Sequence, residues 1–178
     1  MAYQLRGVIG RISAAQGVAN ALGSAAVAVP LGQGFALVPY TAAVYDAFVA
    51  GRVSERIKPF WWLGESLAEL CAQASKDSPL VYVEAEYFGG AGDQKAVLWE
   101  AGQVALGPVT TGRLSASGRA PGCTAISQAL AGLGVAEASA ERDEFLVLGL
   151  DRFRHWEDWG GRAARAAAKP ETAGDAAD

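Results

Sequence analysis

The chain has 178 residues, a formal net charge of −4 and a pI near 5.1. That length suits a single domain, and apolar residues at 51% against charged residues at 19% exclude a disordered chain. The acidic balance excludes a nucleic-acid binder that works by bulk positive charge, while two cysteines and one histidine exclude a zinc-finger framework or a disulfide-dense scaffold.

Residues 5–9 read as a short strand. Arg6 and Arg11 break the apolar run that a signal peptide would need. Residues 13–22 suit a helix with Ser13 as its cap. No charge occurs between Ile12 and Tyr45, but Gln16, Asn20, Pro30, Gly32 and Pro39 divide the stretch into short pieces. Buried core elements are therefore expected there rather than a membrane span of about 20 unbroken residues. Residues 25–29 and 35–38 form a hairpin around Leu31-Gly32-Gln33-Gly34, and Thr41 caps a helix to about residue 48. Residues 51–59 form a basic link. A helix over 64–75 places Leu67, Leu70, Cys71 and Ala74 on one face, which puts Cys71 in the core.

The alternation over 80–88 predicts a strand with Val81, Val83, Ala85 and Tyr87 on one face and Tyr82, Glu84, Glu86 and Phe88 on the other. Strands at 95–99 and 103–106 complete a meander over 80–106. Gly89-Gly90-Ala91-Gly92 joins two strands with no helix behind it, so it reads as a hairpin turn and not a phosphate cradle. Residues 107–122, rich in glycine and proline, read as a long surface loop. A helix over 124–133 follows, then a last segment over 141–159 with Phe145, Leu146, Leu148 and Leu150 buried. The expectation is a single α+β domain over 1–159, mainly an antiparallel sheet packed by three to five helices. Residues 160–178 are expected to be a flexible Ala-rich tail.

Charge is unevenly divided. Residues 1–64 carry five basic and two acidic residues, whereas residues 65–159 carry seven basic and fourteen acidic ones. An acidic second half repels nucleic acid and steers a basic partner. Glu84 and Glu86 lie about 7 Å apart on one strand face, bordered by Tyr82 and Phe88, a spacing open to acid–base work or to a binding face. Arg154, His155, Trp156, Glu157, Asp158 and Trp159 combine the side chains that dominate interface hot spots with those that would close a core. Phe60, Trp61 and Trp62 cannot all point inward, so at least one is expected at the surface. Arg113 and Arg119, ahead of a helix start, form a candidate anion site. Cys123 with His155 is the one route to a Cys–His pair.

There is no Walker loop, dinucleotide fingerprint, GxSxG, HExxH or CxxC. The expected protein is therefore a non-enzymatic, cytoplasmic, bacterial-type module whose acidic surface docks a basic protein partner, with no cofactor, metal, nucleic acid or membrane involved. Its profile is that of immunity proteins that neutralise a bacterial toxin domain, although no residue motif ties it to them. The alternative is an enzyme or small-molecule binder using Glu84 and Glu86 with Cys123 or His155. Two buried free thiols in a reducing compartment are expected for the cysteines.

Overall fold

The computed structural model describes residues 2–88, 91–112, 124–136 and 143–167, the last six by backbone alone. Its elements in chain order are β1 (Ala2–Arg11), α1 (Ile12–Leu22), β2 (Val29–Pro30), β3 (Phe35–Pro39), α2 (Ala42–Val49) and α3 (Glu65–Ala74). These are followed by β4 (Leu80–Phe88), β5 (Ala91–Glu100), β6 (Gln103–Thr111), α4 (Ala125–Gly132), α5 (Glu144–Val147) and α6 (Trp156–Ala167). The strands form one sheet in the order β2-β3-β1-β4-β5-β6, and each described pairing is antiparallel. The α+β class and the meander are as the alternation predicted.

The sheet is covered on both faces, which explains why its inner strands are apolar almost throughout. On one face Leu5, Ile9, Leu37, Val81, Val83 and Leu98 pack under α4, α5 and Trp159 of α6. On the other, Val8, Val38, Tyr82, Val97 and Trp99 pack under α1, α2 and α3, with Cys71 buried and free as its helical phase requires. Thr41 caps α2 by accepting from Val44 N at 3.2 Å, and Thr124 does the same for α4 through Ser127 N.

Three local expectations are corrected. Residues 107–111 are not loop but the second half of β6, pairing with residues 94–96. Glycine and proline are common turn residues, yet an edge strand tolerates proline because its outward N–H has no partner to lose. Gly107 sits at φ 99°, and a Cβ there would stand 2.8 Å from Ala96 O, so only glycine fits the irregular register. Second, α1 begins directly after β1 with no side-chain cap, so Ser13 does not serve as one. Third, Ala91 and Gly92 are not turn but paired residues of β5, opposite Phe88 and Tyr87, while residues 89–90 lie outside the described residues. So do Arg113, Arg119, Cys123 and residues 168–178. No helix among the described residues is long and apolar enough to cross a membrane.

One geometric detail places the candidate site. β1 outruns β3: residues 7–11 pair with β3, whereas residues 2–6 have only β4 beside them. The ladder continues with Tyr40 N donating to Arg6 O and Gln4 N donating to Arg154 O at 2.7 Å. The strand end is thus covered by the segment that leads into α6.

The buried thiol and phenols give a pH dependence. Burial pushes the Cys71 thiol from 9.0 up to about 12. Burial also raises Tyr82 and Tyr40, and for Tyr82 the charge of Glu84 adds to it. Each group stays neutral in the native state while the unfolded chain ionises at its ordinary value. The Cys71 contribution is therefore complete below about pH 9 and is lost as pH rises toward 12, roughly 4 kcal/mol, and the two phenols extend the loss above pH 10. Urea midpoints followed by circular dichroism are expected to hold constant from neutrality to about pH 9 and then fall, and Cys71→Ala should shallow the first part of the decline.

Candidate functional site

Register brings three charged residues into one row across the sheet. Arg6 on β1 is opposite Glu84 on β4, and Glu84 is opposite Lys95 on β5. They follow Val8, Tyr82 and Val97 on the same face by the strand's twofold period, just beyond the reach of the three covering helices. All three are buried, with exposures of 2%, 4% and 5%.

Residues 60–63 close over this row, and Glu84 holds them there. Its carboxylate accepts from Trp61 N and Trp62 N at 2.7 Å, from Leu63 N at 3.3 Å, and from Tyr82 Oη at 2.9 Å. Three successive backbone N–H groups converge on one anion, the arrangement of an anion nest filled by the protein's own side chain. Arg56 bridges to Gly64 behind it, and Ile57 N donates to Leu63 O.

Arg6 is held on both faces. Its guanidinium carbon lies 3.8 Å from the Trp62 ring centre and 4.1 Å from that of Trp156, so the flat group is sandwiched between two indoles. Its Nε donates to Tyr40 O, while Nη1 is buried with no hydrogen-bond partner. Burial lowers its pKa, opposed by the charges and dipoles of Tyr82, Glu157, Glu84 and Tyr40. Lys95 Nζ lies 4.3 Å from the Trp61 ring centre and 3.3 Å from Asp93 Oδ2.

Above the row opens a cleft of about 130 Å³ lined by Arg6, Trp61, Trp62, Glu86, Asp93 and Trp156. It leads into a shallower groove of about 390 Å³ that shares Trp61, Glu86 and Asp93 and adds Phe88. Trp61 is 55% and Phe88 78% exposed, so one of the three adjacent aromatics is at the surface as their crowding required.

The proposed partner-binding residues divide into two groups. Glu86 and Phe88 are exposed at the mouth of the cleft, and Glu86 accepts from Gln4 Nε2 at 2.9 Å. Trp156 lines the cleft, while Arg154 and Asp158 are exposed. Tyr82, Glu84 and Trp159 are buried and face neighbours within the fold. Glu157 is exposed but engaged, accepting from Ala42 N at the start of α2 and from Trp156 Nε1. His155 stacks on Trp156, its Nδ1 accepting from Glu157 N. α6 begins only at Trp156, so Arg154 and His155 lie ahead of the helix.

Glu84 is thus occupied by four donors and stands clear of acid–base work with Glu86. Among the described residues there is no group of three or more His, Cys, Asp or Glu that could hold a metal ion. Sequence reasoning missed Arg6, Asp93 and Lys95. Arg6 had a signal, a lone charge inside the apolar strand Leu5-Arg6-Gly7-Val8-Ile9, although its partners lie far along the chain. No protein-family model, no curated protein and no solved structure matches the chain.

Glu84→Gln keeps the shape but turns an NH2 toward donors that need an acceptor. The expected cost is about 2–4 kcal/mol in urea unfolding, with a red shift of tryptophan emission as residues 61–63 lift from the sheet.

Proposed function

We propose that the chain is a protein-binding module whose groove beside β4 and β5 takes a lysine or arginine side chain of a basic protein partner. The observation that carries this reading is the exposure of Trp61 and Phe88 beside the carboxylates of Glu86 and Asp93. Trp61 lies over Lys95 and is still 55% exposed, which leaves ring surface for an incoming cation. A cation placed there gains about 0.5–2 kcal/mol from the ring and about 1.5–3 kcal/mol from a charge-assisted bond to a carboxylate. Asp93 is only partly drawn off by Lys95, and among the described residues Glu86 is paired with the neutral amide of Gln4.

The excess of acidic residues over 65–159 supports the same reading through rate, since complementary fields speed encounter more than they tighten the final complex. The exposed groups that matter are Glu86, Asp93, Trp61 and Phe88. This replaces the wider patch that included Tyr82, Glu84 and Trp159. A toxin domain with a basic surface is the partner class that the acidic profile fits, with this chain as its cytoplasmic immunity protein. The enzymatic alternative is not favoured, because Glu84 and the His155 Nδ1 are both occupied.

The test compares capture of protein partners from the native cell by wild type and by Glu86→Lys/Asp93→Lys. A specific partner should be lost, or bound at least about tenfold more weakly, with the double variant and with Trp61→Ala. It should be retained by the control Glu65→Lys/Glu69→Lys on α3. Equal capture by all four proteins would overturn the assignment.

A further inference from the structure

We propose that the cleft beneath this groove binds a small zwitterion, its carboxylate on Arg6 and its cationic group against Glu86 and Asp93. The proposal shares two carboxylates with the docking surface but rests on Arg6, which docking does not use, so the two can fail separately.

The starting observation is an unmet donor. Arg6 is 2% exposed and lines the cleft, its Nε is spent on Tyr40 O and both faces are covered by indoles, yet Nη1 meets no acceptor among the described residues. A buried charged donor without an acceptor is costly, and native proteins meet such groups with a partner, a water or a ligand. Glu84 and Glu157 are close enough to favour the cation by charge. Neither gives it a hydrogen bond, since their described bonds go to Trp61, Trp62, Leu63 and Tyr82 and to Ala42 and Trp156. An oxyanion would complete the site, because guanidinium edges and carboxylates match in geometry.

The mouth decides which anion. A simple anion must pass Glu86 and Asp93, which repel it. A molecule with a carboxylate leading and an ammonium trailing finds the Arg6 guanidinium at depth, beside a Glu84 whose oxygens already accept four donors, and free carboxylates at Glu86 and Asp93, with indole walls between. The cleft, at about 130 Å³, holds an amino-acid-sized group and little more. Two sources carry that chemistry: a free amino acid, or the C-terminal carboxylate of a peptide with a basic side chain.

Binding is read by the emission of Trp62 and Trp156, which enclose the guanidinium. L-lysine, lysine amide, and a short peptide ending in lysine as the acid or the amide are titrated at constant ionic strength. The expected result is a saturable change with L-lysine, at least tenfold weaker with lysine amide. If the peptide acid binds tighter than free lysine and its amide does not, the chain end is the source. The reverse order assigns the site to the free amino acid. Arg6→Lys should remove the difference between acid and amide. Because that substitution touches a buried residue, Glu86→Gln/Asp93→Asn serves as a second variant and should weaken L-lysine at least tenfold while leaving the fold intact. Equal response to acid and amide, or no saturable response to any probe, would overturn the proposal and leave water as the partner of Nη1.

Discussion

A carboxylate taken out of water costs several kcal/mol unless its oxygens are met, and in this fold meeting them shapes everything around the cleft. Glu84 draws Trp61, Trp62 and Leu63 down by their backbone N–H groups, which fixes how the chain crosses the end of the sheet. Once that path is fixed, adjacent side chains diverge: Trp62 lies against Arg6 and Trp61 remains over half exposed. The cations on either side of Glu84 are in turn covered by those indoles. Charge, hydrogen bonding and aromatic cover thus form one unit, and breaking such a unit by removing one member costs more than any single bond in it.

Much of the architecture could be read in the residues. Period-two alternation marked β4 and put Tyr82 and Glu84 on one face, helical phase put Cys71 inside, and Thr41 and Thr124 stood at helix starts as capping chemistry demands. These signals are local. What alternation could not show was which face was covered at residue 84, since that cover comes from residues 61–63 and depends on long-range folding. Counting charge failed in the same way. Glu84 and Glu157 add to the negative total but spend their oxygens on backbone and indole N–H groups, so the exposed acidic surface at the site comes down to Glu86 and Asp93. The second half of β6 was hidden by Gly107-Pro108, because turn residues and edge-strand residues overlap in type.

Both proposed uses of the site depend on a division by depth. At depth lies the Arg6–Glu84 pair under two tryptophans, while the more exposed lining is anionic and aromatic. A surface of this kind discriminates by the order in which charges arrive along a ligand and not only by their number. The flat groove can meet a large partner, and the cleft below can select among groups small enough to enter it.

The cleft is also assembled from opposite ends of the described chain. Gln4 and Arg6 come from the first strand, whereas Arg154 and Trp156 are joined to it by a backbone bond and by a ring laid over the guanidinium. Contacts at such sequence separation form late and slowly. During synthesis the sheet's inner strands are available well before residue 154 leaves the ribosome, so nascent chains carry a half-built site with one side of Arg6 bare. The two-sided cover of Arg6 is therefore complete only once the segment through Trp156 has docked on the first strand.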